Sequence, residues 1–137
     1  MGKLKLEVVT PEKVLVSSEA DMVVAPGTMG EFGILEDHVP FLSGILPGEL
    51  RFTLDGKTEY FAVADGFLEV SRNKVSVLVD AAESAKDIDI ERAQVALERA
   101  RARLAKERGA EDVDFTRAEA ALKRAISRLK VAEKKSI

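Results

Sequence analysis

Cysteine is absent from the 137 residues. That removes disulfides, thiolate zinc sites and any cysteine nucleophile, and it fits a reducing compartment. Histidine occurs once, at His38, so a His-rich metal centre and a Ser-His-Asp triad are poor readings, and no metal site is expected. Tryptophan is missing and aromatics make up 5% of the chain. No apolar run approaches the roughly 18 residues of a bilayer span, and Met1 to Leu6 shows no signal-peptide hydrophobic region. GxxxxGK[ST], a strand-to-helix GxGxxG, HExxH and GxSxG do not occur. The standard phosphate cradles and hydrolytic sites are therefore not indicated, and no required cofactor is expected.

The formal charge of −3 conceals two unlike parts. Residues 1–89 hold 8 Lys and Arg against 16 Asp and Glu, a net of −8, whereas residues 90–137 hold 13 against 8, a net of +5. All four prolines, and every glycine except Gly109, lie in the first part. Glycine, proline, charge sign and hydrophobic period change together near Asp87-Ile88-Asp89. This divides the chain into a domain of residues 1–86 and a second of residues 87–137.

The first domain reads as β. Leu4, Leu6 and Val8 alternate with Lys5 and Glu7, the period of a half-buried strand. Met22-Val23-Val24-Ala25 runs up to Pro26-Gly27. Leu50–Leu54 and Thr58–Val63 flank Asp55-Gly56, a two-residue hairpin signal because a type I′ turn needs positive φ twice. Asp65-Gly66 and Arg72-Asn73 read as two further breaks, around Phe67–Val70 and Val75–Val79. Gly27-Thr28-Met29-Gly30-Glu31-Phe32-Gly33 is glycine-rich, but no helix follows it, so it reads as a turn. Short strands at this spacing predict an antiparallel sandwich or barrel.

The second domain reads as an antiparallel pair of helices, making the whole chain α+β. Asp89 is placed as an N-cap, with Glu91 in the first turn where the helix dipole favours an anion. Ile90, Ala93, Leu97, Ala100 and Leu104 form one apolar seam, which Gly109 ends. Asp114 is expected to cap a second helix whose seam is Phe115, Ala118, Leu122, Ala125, Leu129 and Ala132. With Ile90 and Phe115 at heptad position a, Arg92, Arg99 and Arg103 share a flank with Arg117, Arg124 and Arg128. Those positions contain no acid. The opposite flank mixes Glu91, Glu98, Glu119 and Glu133 with Lys and Arg. Facing like charges cost a few tenths of a kcal/mol per pair, and an arginine fork suits phosphate. The arginine flank therefore reads as an anion site, for a phosphate ligand or for an acidic protein surface.

Five segments carry a family likeness in order and spacing. They are Val9-Thr10-Pro11, Gly30-Glu31-Phe32-Gly33-Ile34-Leu35-Glu36-Asp37-His38-Val39-Pro40-Phe41, Gly66-Phe67-Leu68-Glu69-Val70, Asn73-Lys74-Val75-Ser76-Val77-Leu78 and Asp87-Ile88-Asp89-Ile90-Glu91-Arg92-Ala93. Together they resemble the epsilon subunit of bacterial F-type ATP synthases, over essentially the whole chain. The resemblance implies an N-terminal β-sandwich binding the gamma subunit and the c-subunit ring, then a mobile helical hairpin. It implies a non-catalytic rotor subunit that couples proton (or sodium) translocation to ATP synthesis. Extension of the hairpin into the alpha and beta catalytic head would inhibit ATP hydrolysis. The edge at Glu31, Phe32 and Gly33 would meet the ring and His38 would face gamma. The subunit would be peripheral, at the cytoplasmic face of the bacterial inner membrane, with no lipid insertion.

The resemblance also implies a regulatory ATP site in the folded hairpin, with magnesium left open. Its motif stands intact as Ile88, Asp89, Arg92 and Ala93, and the further ligand positions as Glu83, Arg99, Arg124 and Arg128. Two other classes remain as competitors. One is a nucleic-acid-binding module built on the basic hairpin, which the acidic whole chain and scarce aromatics disfavour. The other is a small-molecule enzyme, for which no nucleophile and base pair is recognisable.

Overall fold

In the computed structural model, the backbone is described for residues 3–106 and 112–136, and side chains for 3–105 and 116–134. The alternation at the start of the chain decides the first strand, β1 (Leu4–Val9), with Leu4, Leu6 and Val8 buried and Lys5 exposed. There follow β2 (Val14–Ala20), β3 (Met22–Gly27), β4 (Gly30–Leu35), β5 (Phe41–Ile45), β6 (Gly48–Leu54), β7 (Lys57–Ser71) and β8 (Lys74–Ser84). After a 3-10 turn at Ala85–Asp87 come the helices α1 (Ile90–Lys106) and α2 (Asp112–Ala132), closed by a 3-10 turn at Glu133–Ser136. Two compact units result, Met1–Ser84 and Ala85–Ile137.

Turn chemistry sets the register of the sandwich. Asp55 (φ 51°) and Gly56 (φ 81°) form the expected two-residue connection, with Leu54 opposite Lys57. Arg72 (φ 50°) and Asn73 (φ 60°) do the same between β7 and β8, with Ser71 opposite Lys74. Of the glycine-rich segment read as a turn, only Thr28-Met29 turns: Gly27 ends β3 and Gly30 to Gly33 open β4, with Gly30 at φ 113°.

Asp65-Gly66 is not a break. β7 runs straight through it for 15 residues, holding Ala64 opposite Ala81 and Gly66 opposite Val79. Asp65 takes the positive φ (54°) that the dipeptide signals, but it kinks a continuous strand instead of reversing it. Gly66 is required there for a different reason. A methyl on its Cα would sit on the Leu78 carbonyl oxygen and 2.7 Å from Val79 Cα.

The kink coincides with a change of neighbours. Before it β7 pairs with β6, and after it with β5. One layer is therefore β2-β1-β8-β7-β5, and the other is β7-β6-β3-β4, joined through the bent β7 and β8. Between them lie Leu4, Leu6, Val8, Val23, Ile34, Leu50, Phe52, Phe61, Leu68, Val70, Val75 and Val77. One pairing departs from the antiparallel expectation. β1 runs parallel to β8, with Leu6 opposite Val75 and Val8 opposite Val77. β1 is already committed to β2 on one side, and the rest of the sandwich serves as the long crossover that a parallel pair needs.

In the second unit Asp89 caps α1 as expected, accepting from the Arg92 N–H at 3.1 Å. Ala93, Ala100, Ala118 and Ala125 are buried where the two helices pack. Ile90 is not a seam residue. It is 43% exposed, and Ile88, one step before the cap, is buried instead. The first helical residue overhangs the seam, while the 3-10 turn that leads to Ile88 lies against α2. α2 begins at Asp112, so Asp114 lies inside its first turn. Two capping-type acids stand two residues apart, and periodicity cannot choose between them. Gly109 and the side chain of Phe115 lie outside the described residues.

Candidate functional site

The hairpin flank is built by its alanines. Arg92 and Arg99 each immediately precede a buried seam alanine of α1, and Arg117 and Arg124 do so on α2. That offset, repeated on two antiparallel helices, places all four on one flank, with Arg103 and Arg128 at the adjoining positions. Arg92, Arg99, Arg103 and Arg117 are exposed, whereas Arg124 and Arg128 are half-buried. The opposite flank carries ion pairs, Glu98 with Arg101 at 3.9 Å and Glu119 with Lys123 at 3.4 Å.

Three residues of the 88–93 motif have structural duties of their own. Ile88 is an apolar anchor, Asp89 is the cap and Ala93 is a seam contact with no exposed surface. Arg92 is the exposed motif residue that makes none of these contacts with its side chain. Glu83 is half-buried near the end of β8, opposite Ala62. It belongs to the sandwich unit. Among the described residues no group of His, Cys, Asp and Glu could hold a metal ion.

On the sandwich, the candidate contact residues divide between two faces of β4. Phe32 turns toward the core and meets Phe41 edge to face at 5.2 Å, and Phe41 meets His38 at 5.8 Å. His38 also places Nδ1 2.7 Å from the Val39 carbonyl oxygen. The loop is tied to the β7–β8 turn, because the Asp37 N–H donates to Asn73 Oδ1 at 2.7 Å. Gly33 is exposed.

Glu31 points the other way and is not a lone acid. Arg51 reaches across β3 from β6 and forks onto it, Nη1 to Oε2 at 3.2 Å and Nη2 to Oε1 at 3.3 Å. The same Nη1 donates to Glu49 at 3.0 Å. These bonds, Glu31 first, raise the Arg51 guanidinium further above its usual range.

Sequence reading missed the sandwich's apolar stripe. Val14, Val9, Leu78 and Phe67 fall in one register row across β2, β1, β8 and β7. Leu42 lies one step away on β5, opposite Glu69. Val9 is half-buried, while Phe67 is 62% and Leu42 66% exposed, and Val14 and Leu78 are also open. Acids border the stripe. They are Glu69, together with Asp65 on β7 and Asp80 on β8, all exposed. The signal was present in Phe67-Leu68-Glu69-Val70 and Val77-Leu78-Val79. Strict alternation places Leu68, Val70, Val77 and Val79 inside, which leaves Phe67 and Leu78 on the solvent face.

Residues 3–85 match the family model of the ATP synthase delta/epsilon chain β-sandwich domain, and residues 86–133 that of its long α-helix domain. The chain belongs to the ATP synthase epsilon-chain family. The epsilon chain of Carboxydothermus hydrogenoformans is 58% identical over 104 residues, covering 76% of this chain and 78% of the relative. That of Nitratidesulfovibrio vulgaris strain DP4 is 52% identical over 103 residues, 75% and 77% of the two. In fold, the chain is similar to one in the Euglena gracilis mitochondrial ATP synthase (OSCP/F1/c-ring), with a TM-score of 0.82 at 22% identity, over 97% of this chain and 82% of that one. A second likeness is to a chain of the Tetrahymena thermophila mitochondrial ATP synthase central stalk and c-ring, with a TM-score of 0.58 at 17% identity, over 99% and 98%. The epsilon family, and a β-sandwich followed by two helices, are thus as the sequence reading expected. No described helix is long and apolar enough to cross a membrane.

Proposed function

We propose that this chain is a non-catalytic central-stalk subunit that couples proton translocation to ATP synthesis and restrains ATP hydrolysis through its hairpin. It would lie peripherally at the cytoplasmic face of a bacterial inner membrane. The sandwich docks gamma through the apolar stripe and the His38 aromatic group, and meets the c-subunit ring along the edge at Glu31, Phe32 and Gly33. An exposed apolar row on an otherwise polar sheet face supports an interface there. Its acidic border calls for a partner with basic flanks.

The hairpin is the regulatory arm. Folded, it binds ATP through Arg92, Arg99, Arg124 and Arg128, with Ile88, Asp89 and Ala93 completing the site. Extended toward the alpha and beta catalytic head, it loses the site and blocks hydrolysis. The observation that carries this reading is the alanine seam, which brings arginines of both helices to one flank. A polyphosphate relieves the repulsion between those rows. A ligand that binds one state only stabilises it by about 2.7 kcal/mol at a hundredfold excess over Kd. That moves a two-state equilibrium about a hundredfold. Calorimetric titration of the purified chain, with and without magnesium, tests the site. ATP should bind, and Arg92→Ala should abolish binding while leaving the circular dichroism spectrum unchanged. An Arg92→Ala chain that binds ATP like the parent would leave the arginines with protein contacts alone.

A further inference from the structure

We infer that Arg51 is the positioning residue of the ring-facing edge, holding the Glu31 carboxylate in one orientation from two strands away. The inference rests on the reading of Glu31 as a ring contact and adds to it the residue that aims it. β4 is an edge strand that, among the described residues, pairs only with β3. Glu31 is the second residue of β4, opposite Pro26, where a long acidic side chain has no strand neighbour on its outer side to fix its rotamer. Arg51 supplies that constraint. Its register partner on β3 is Val24, which also pairs Gly33, so the guanidinium must cross β3 to reach Glu31.

The contact has the two-pronged geometry that suits planar guanidinium to carboxylate, which a lysine cannot reproduce. Glu49, on the same strand two residues before, accepts from the same Nη1 and gives the guanidinium a second anchor. Glu49 and Arg51 have the more covered side chains, 24% and 30% exposed, while Glu31 remains 55% open. The carboxylate offered to a partner is therefore the outermost member of a fixed Glu49–Arg51–Glu31 chain. Two carboxylates share one guanidinium, so the face keeps one net negative charge and a defined direction.

The test uses the assembled synthase in inverted membrane vesicles, scored as proton pumping per ATP hydrolysed. Arg51→Gln and Glu31→Gln should each reduce that ratio about two- to fivefold, the scale of a half-exposed ion pair. The double variant should be no worse than the more impaired single variant, because both remove one interaction. Arg51→Lys should recover only part of the ratio. Gamma affinity, measured by calorimetry on the isolated chain, should be unchanged in all of them. A silent Glu31→Gln would overturn the ring-contact reading and this inference with it. An impaired Glu31→Gln beside a silent Arg51→Gln, or effects that add in the double variant, would overturn the positioning role alone. An Arg51→Lys synthase matching the parent would reduce the role to charge, and weakened gamma binding by Arg51→Gln would reduce it to sandwich stability.

Discussion

Lys3 stands just ahead of β1 and bonds two acids at once, Asp21 and Asp55, each at 2.9 Å. Asp21 in turn accepts from the Asp55 N–H at 2.8 Å. The Lys3 bond and then the Asp55 N–H hold the Asp21 carboxyl below its usual range, and the two acids raise the Lys3 ammonium above its own. A depressed carboxyl contributes stability that is present above its unfolded pKa and is lost as pH falls through the folded one. Asp21→Asn should therefore melt below the parent at pH 7, and the gap should close as pH falls below about 4. A pH series of thermal melts measures it. At the same scale, Gly66→Ala should cost about 2 kcal/mol or more, because the added methyl meets backbone and not a movable side chain. That lowers the sandwich melting temperature by about 10 °C. The dipeptide Asp65-Gly66 shows why such residues were only half legible. Sequence reveals that a positive φ is wanted, but not whether the chain turns or merely bends, which β6 and β5 decide from elsewhere in the chain.

At the level of elements, the alanine seam was readable because its 3-4 spacing is local. The cap at Asp89 was readable for the same reason. The displacement of Ile90 by Ile88 was not, because the 3-10 turn that brings Ile88 against α2 has no periodic signature. The arginine flank followed from the seam by geometry alone. The apolar stripe did not, since it is assembled from four strands whose pairing, including the parallel β1–β8 contact, lies in tertiary register. Ala125 is 2% exposed in the helix contact. Ala125→Leu should overpack that contact by about 1–3 kcal/mol. Circular dichroism at 222 nm should show the helical transition moving to lower temperature, with the β transition unmoved. A shift of both together would show that the two units melt as one.

For the whole molecule, the split at Ser84 and Ala85 leaves all the residues of the β core in the first unit. A chain ending at Lys86 should fold, melt cooperatively and bind gamma with an affinity close to that of the parent. In that truncated chain Phe67→Ser should weaken gamma binding at least tenfold, the scale of removing a central aromatic anchor, about 2 kcal/mol or more. Calorimetry checks both. An unfolded truncation would mean that the hairpin completes the sandwich.

The stripe at Phe67 and the fork at Arg51 lie on different layers, yet both strands of interest meet β7. Phe67 is on it, and Arg51 is opposite Tyr60 on it. In a sandwich held only by side-chain packing, a sideways load on one layer is resisted by interfaces that can slip. Here a single peptide chain passes from layer to layer through the bend at Asp65, so the covalent backbone, and not packing alone, opposes that slip. In the proposed stalk role, that continuous strand would let the ring-facing and gamma-facing layers move as one body.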